Sequence, residues 1–380
     1  MQHQKHLFDL SDDTTYLNCA YMSPQLKSVT QVGLKAIARK AKPNEILPED
    51  FFNQREILKQ RFAALIEAPD YKNTAIIPSV SYGLANAANN TSINKGDEIL
   101  LVDEQFPSNV YIWKEVAKKK GAVVKIIKPP HSFENRGALW NQSILEAIST
   151  KTAVIAMANV HWADGTLFDL KAIREKTKSV NAMLIIDGTQ SIGALPFSVK
   201  EIEPDALVCG GYKWMLGPYS TGMAYYSDAF NEGTPIEHSW MNRYHSEDFT
   251  NLTQYEDRYQ EKAARYSVGE SSNFALTPML IRSIEQLIEW TPAAIQEYCK
   301  NITQNTVHQL RDLGCFIEED DYRAHHLFGI YLPKHMDVEK LKAKLKQENI
   351  IVSFRGIAMR VSPHLYNAEA DFDKLVAQFG

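Results

Sequence analysis

Cysteine is scarce in this chain of 380 residues: four, Cys19, Cys209, Cys299 and Cys315, with no C-x-x-C spacing. That argues against a disulfide-stapled scaffold and against a zinc or other metal site. It suits a reducing compartment, so a cytoplasmic location is expected. Long apolar runs are missing as well, so no membrane span is expected. The opening MQHQKHLFDLSDDTTY lacks the apolar core of a signal peptide. Excess positive charge is absent: 41 Lys and Arg stand against 46 Asp and Glu, a net charge of −5, which leaves no electrostatic footprint for nucleic acid. Neither GxGxxG nor GxxxxGK[ST] occurs, and a nucleotide-binding oxidoreductase loses its main signature with them. There is no internal repeat and no low-complexity linker.

What is present is an ordinary globular composition, 44% hydrophobic and 23% charged, in a chain long enough for two domains. Between residues 74 and 226 short β-branched runs (TAIIPS, EILLVD, AVVKIIK, AVIAMAN, MLIID, ALVCG, GMAYYS) alternate with amphipathic stretches such as SNVYIWKEVAKKKG and LKAIREKTKSV. Several runs lack polar alternation, as strands covered on both faces do. The pattern predicts an α/β domain with a mostly parallel sheet. After residue 230 comes an irregular, aromatic-rich connector, then two helices through TPMLIRSIEQLIEW and AAIQEYCKNITQNTVHQLRDLG. Mixed strands and helices follow, HLFGIYLP to EADFDKLVAQF, and predict a smaller α+β domain. Asn367 is expected to cap the last helix. His325 and His326 read as surface residues at a strand start.

Residues 206–218 read ALVCGGYKWMLGP. A lysine among glycines and aromatics is costly to bury unless its ammonium has a partner or a task. Upstream, MLIIDGTQSIG ends a strand on Asp187, where α/β folds place their chemistry. IIPSVSYGLANAA runs from a strand into a helix through Ser79-Val80-Ser81. Small hydroxyl residues at a helix N-terminus offer hydroxyls, N–H groups and the positive end of the dipole, an arrangement that suits phosphate. Each feature alone has a plain structural reading: a surface lysine, a turn carboxylate, an ordinary cap. Together and in this order they match pyridoxal phosphate. That cofactor needs a phosphate site, a lysine for a Schiff base and a carboxylate beside its pyridinium nitrogen.

On these motifs the chain resembles the class V aminotransferase family of fold type I pyridoxal-phosphate enzymes, the group of cysteine desulfurases, kynureninases and isopenicillin N epimerase-like proteins. The resemblance runs from TYLNCAYMSP to AMRVSPHLYNAEADFDKL. It implies a large domain, residues 21–250, with a mostly parallel seven-stranded sheet. It also implies a smaller domain, residues 251–380, and an N-terminal segment, residues 1–20, near the active site. Lys213 resembles the Schiff-base lysine, Asp187 the partner of the pyridine nitrogen, and Gln190 the group that hydrogen-bonds the phenolic oxygen. Ser79, Val80 and Ser81 resemble the phosphate cup, with Tyr212 offering its hydroxyl to the same phosphate. Phe106 falls where the family stacks a ring on the cofactor, and His161 and Trp162 fall at its edge. Arg360 resembles the arginine that grips the substrate α-carboxylate, a task suited to a bidentate guanidinium. Glu270 stands where the family often places a Thr that reaches the phosphate across the dimer interface, for which Ser271 or Ser272 can stand in.

The resemblance implies a homodimer and an amino acid or related amine as substrate. Persulfide-forming desulfuration needs a cysteine on a loop before the arginine motif, and IIVSFRGIAMR has none. Kynureninases present His where Gln190 stands. An aminotransferase is therefore the expected activity, with a pyridoxal-phosphate epimerase or lyase as the alternative. A protein that binds the cofactor only as a sensor or partner would have lost the lysine or the arginine, and both are present.

Overall fold

The computed structural model describes residues 1–380. The chain opens with β1 (Thr15–Tyr16), α1 (Lys27–Arg39) and α2 (Asp50–Leu65), two helices that the strand-and-helix alternation did not announce. Then come β2 (Thr74–Ile77), α3 (Val80–Asn90), β3 (Glu98–Val102), α4 (Ser108–Lys120), β4 (Val123–Ile127) and α5 (Arg136–Ala147). They are followed by β5 (Thr152–Ala158), α6 (Leu170–Ser179), β6 (Met183–Asp187), the short α7 (Val199–Ile202), β7 (Ala206–Gly210) and β8 (Gly222–Tyr226). These seven strands, β2 to β8, form one sheet in the order β2-β8-β7-β6-β5-β3-β4. The β3–β4, β3–β5, β5–β6 and β6–β7 pairs are parallel, and β8 runs antiparallel to both its neighbours. This is the fold type I architecture.

The strands are apolar throughout because both faces are covered. Ile76, Leu100, Ile155, Ile186 and Leu207 enter one core; Ile77, Leu101, Val154, Ile185 and Val208, one residue out of step, enter the other. That is the period-2 alternation of strand side chains with both phases buried. Gly83 lets α3 approach the sheet: a Cβ there would sit 2.7 Å from Val208 Cγ1. Caps stop and start the helices where expected. The Ser79 hydroxyl accepts the Tyr82 N–H at 3.2 Å, Asp169 accepts the Ala172 N–H, and α4 ends at Gly121 with φ +74.

The connector between 230 and 270 is irregular, with 3-10 turns at Trp240–Asn242, Phe249–Asn251 and Lys262–Tyr266. After it come α8 (Leu276–Trp290), α9 (Pro292–Asp312), β9 (Phe328–Tyr331), α10 (Val338–Gln347), β10 (Ile350–Ile351), β11 (Ser353–Arg355), β12 (Ala358–Val361) and α11 (Glu369–Val376). In α8, Leu280, Ile281, Ile284 and Leu287 are buried at helical spacing. Strands β9, β11 and β12 form a small antiparallel sheet, and β1 pairs with β10, which brings the N-terminal segment onto the C-terminal part. Asn367 does not cap α11. Its Oδ1 accepts the His364 N–H, and Asp371 instead accepts the Ala368 N–H that starts the helix. No helix is long and apolar enough to cross a membrane.

Candidate active site

Every parallel strand next to the centre of the sheet ends on a chemically equipped loop. The loops after β2, β3, β5, β6 and β7 converge on one cavity of about 360 Å³ at the carboxyl edge of the sheet, the position where open α/β sheets bind ligands. Ser79, Val80, Ser81, Phe106, Trp162, Asp187, Gln190, Tyr212 and Lys213 line it together. His161 and Arg360 do not.

Lys213 follows β7 through the Gly210-Gly211 turn. A Cβ at Gly211 would come within 2.7 Å of the Thr221 carbonyl oxygen, so the turn closes only with glycine there. The lysine is 5% exposed. Its Nζ lies 5.3 Å from the Phe106 ring and 5.5 Å from the Tyr212 ring, and no carboxylate comes within ion-pair distance. Burial, and then the positive field of Arg360, lower its pKa to about 8. Asp187 ends β6 and accepts the Thr189 N–H at 3.0 Å. Burial raises its pKa, while Thr189 and Lys213 pull the other way. A buried carboxylate that holds no cation gains most from a positive group placed beside it.

The phosphate-cup segment is the N-terminus of α3. Ser79 and Ser81 place their hydroxyl oxygens 3.1 Å apart at the positive end of that helix. Gln190 is braced: its Nε2 donates to the Ala20 carbonyl at 3.2 Å and its Oε1 accepts from the Trp214 indole at 2.9 Å. Phe106 is 38% exposed and meets Trp162 edge to face at 5.4 Å. Trp162 is fixed by its indole N–H on the Glu104 carbonyl.

His161 sits behind this wall. Its Nδ1 faces Asp164 at 3.0 Å and its Nε2 faces the Asp103 carbonyl at 3.2 Å, so of that pair only Trp162 lines the cavity. Asp164 is the centre of a buried cluster: Arg136 and Tyr331 donate to its Oδ2, and His161 and Thr166 serve its Oδ1. Burial works to raise its pKa, but His161 and Arg136 hold the carboxyl far below the ordinary range. Arg360 is 1% exposed and donates from Nη1 to the Trp162 carbonyl at 2.8 Å. Its Nε and Nη2 are buried without a partner. Burial, then Arg355, lower its pKa to about 9.

Several cavity residues escaped the sequence reading. Tyr219, Ser220 and Thr221 reach the cavity from the turn before β8, with Ser220 at φ +64, and only the antiparallel return of β8 puts them there. His326 is a correction. It is fully buried, accepts from Gln296, donates to the Gln190 carbonyl at 2.7 Å and stands edge-on to Trp214. It thus supports Gln190 from below, as a neutral ring whose pKa burial lowers to about 4. His325 is half-buried rather than at the surface. Ser271 and Ser272 are buried and lie outside this chain's own cavity, as residues expected to reach a partner's phosphate would. All four cysteines are buried; burial pushes the Cys19 thiol up to about 12, which makes it a poor nucleophile. The β11–β12 hairpin turns at Gly356 and Ile357 and carries no thiol.

A family model described as aminotransferase class-V matches residues 45–375. An uncharacterized aminotransferase, YcbU, of Bacillus subtilis (strain 168) is 23% identical over 325 residues, 85% of this chain and 82% of that protein. A probable cysteine desulfurase of Halalkalibacterium halodurans is 31% identical over 166 residues, 43% of this chain and only 38% of its own length. Among solved structures, the apo cysteine desulfurase from Thermococcus onnurineus NA1 superposes with a TM-score of 0.84 at 18% identity, covering 99% of this chain and 97% of that one.

Proposed function

The chain belongs to the aminotransferase class-V family, and we propose that it is a pyridoxal-phosphate enzyme that transfers the amino group of an amino acid or related amine. The observation that carries this reading is Lys213: a buried, unpaired amine with a pKa near 8, in one cavity with an uncompensated carboxylate and a helix N-terminus. Each of these three is unfavourable or idle by itself. The cofactor would engage all three, a phosphate at α3, a ring nitrogen at Asp187 and a carbonyl at Lys213, so the residues present fit it.

Bound pyridoxal phosphate supplies an electron sink for the α-carbon of an amine. The remaining work falls to the chain's own side chains. The Ser79 and Ser81 hydroxyls and the first N–H groups of α3 hold the phosphate. Asp187, held by Thr189, keeps a proton on the ring nitrogen. Phe106 and Trp162 wall the ring and exclude water, and Gln190, braced by Trp214 and Ala20, orients the phenolic oxygen. Lys213 takes and returns the α-proton, a role favoured by a pKa near the working pH. Arg360 does not line the cavity, but its Nη1 holds the carbonyl of the cavity residue Trp162, and its two unpartnered guanidinium nitrogens would meet an α-carboxylate bound beside that residue. The proposal extends to a homodimer, because Leu34 and Ile37 of α1 and Tyr219 at the cavity mouth are each more than 60% exposed and call for cover.

A lyase is the second reading, favoured by the desulfurase relative. The buried thiols and the thiol-free β11–β12 turn weigh against the persulfide route and leave only direct cleavage of a thiol or selenol substrate. The test is a single-turnover half-reaction. Cofactor-loaded protein is mixed with each of the common amino acids, and the products are identified by mass spectrometry. An α-keto acid matched by an aminated cofactor supports transfer. Ammonia or sulfide with unchanged cofactor would replace transfer by the lyase reading.

A further inference from the structure

Arg355 has no role in the site as described and does not line the cavity, yet it packs against Trp162, which does. Strands β11 and β12 pair Ser353 with Arg360 and Arg355 with Ala358, so Arg355 and Arg360 stand on the same face of the small sheet. Their guanidinium carbons lie 5.5 Å and 5.9 Å from the ring of Trp162, and that ring lines the cavity. Neither arginine forms an ion pair. Arg360 spends one nitrogen on the Trp162 carbonyl and leaves two buried and unpartnered. Arg355 donates to the neighbouring Phe354 carbonyl and leaves its Nε buried and unpartnered. Arg136 and Arg323, both buried, behave differently: each meets a carboxylate at 2.8 Å. Two like charges held near each other and near Lys213, with no acid between them, form an arrangement that an anion would relieve. One α-carboxylate satisfies one guanidinium and leaves the other.

We infer that Arg355 and Arg360 together form a twin-guanidinium site, and that the substrate is an amino acid whose side chain carries a second acidic group, a carboxylate or a sulfonate. This rests on the amino-acid reading of the cavity and names the substrate class for it. Each guanidinium presents a planar fork of N–H donors matched to such a group. The neutral isostere would leave a half-buried cation unpaired, which is the basis for rejecting it.

The experiment is calorimetric titration of the full-length, cofactor-loaded protein with succinate and with butyrate, two non-reacting acids that differ by one carboxylate. It is repeated with aspartate against asparagine. Succinate is expected to bind at least about tenfold more tightly than butyrate, with aspartate favoured over asparagine in the same sense. Arg355→Gln should bring the succinate-to-butyrate ratio close to one, and Arg355→Lys should keep most of it. Equal binding of the two acids by the native protein overturns the inference, and so does a ratio that Arg355→Gln leaves intact. The visible band of the cofactor, read on the same samples, reports on the parent reading separately. Acid discrimination without a cofactor band would sustain the twin site and sink the cofactor reading. A cofactor band without discrimination would do the reverse.

Discussion

Two groups of buried and half-buried charge lie on either side of the 161–164 segment and are built on opposite rules. On one side, Asp164 is saturated: Arg136, His161, Tyr331 and Thr166 fill its oxygens, and Glu318 stands 3.5 Å from the same arginine. This cluster ties the loop after β5 to β9 of the small sheet, where Tyr331 resides, and Gly329 adds a backbone bond to the Asp164 carbonyl. On the other side, Lys213, Arg355 and Arg360 are starved of partners, and Asp187 holds no cation. Both arrangements bury charge at a desolvation cost. Only the first recovers it within the chain. Beside this segment, pairing within the chain ties charge into the fold, and charge left unpaired next to the cavity is free to meet a ligand; missing pairing alone does not mark a site, since Arg55 of α2 is 3% exposed, has no ion pair and does not line the cavity.

The largest effect expected from that contrast is at Lys213. Lys213→Ala should bind pyridoxal phosphate without covalent capture and lower turnover by roughly 10²–10⁴-fold or more, as read by absorbance and a keto-acid assay. Wild-type turnover in that variant would remove Lys213 from the chemistry. Next comes the saturated cluster. Asp164→Asn leaves Arg136 with its main partner gone and should lower stability by about 3–5 kcal/mol in urea titration. A loss under about 1 kcal/mol would show the cluster to be dispensable. Arg360→Met should carry the opposite sign for the apo protein. Removing an unpaired buried cation leaves stability unchanged or raises it by about 1 kcal/mol, while affinity for carboxylates falls. A loss as large as that of Asp164→Asn would place Arg360 with the scaffold.

The smallest effect is electrostatic. The Lys213 amine is reactive only when unprotonated, so its labelling by a neutral amine reagent should rise with pH through a midpoint near 8 and level off above it. An ordinary lysine would go on rising toward roughly 10.4. Because Arg360 lowers the Lys213 pKa, Arg360→Met should move the midpoint upward. Labelling resolved by peptide mass spectrometry reads both positions.

The sheet was legible because its signal is local. Seven short apolar runs gave seven strands, and residues at the carboxyl ends of the six that run the same way, all but β8, fall at one edge by topology alone. Lys213, Asp187 and Ser79 were readable for that reason. The C-terminal helix cap was misread because Asn367 and Asp371 compete for the same turn, and the acid wins the Ala368 N–H. His161 was misplaced because strand-end position does not reveal which side of the loop a side chain takes; the buried carboxylate of Asp164 turns it inward. His326 and Arg355 carried no local signal. One acts across 136 residues on the Gln190 backbone, and the other reaches Trp162 only because the β11–β12 hairpin packs against the loop after β5.

Borohydride reduction of the pyridoxal-phosphate-loaded protein, followed by peptide mapping, tests the central claim most directly. The account predicts a single reduced pyridoxyl adduct on Lys213. An adduct on another lysine, or none, would contradict it.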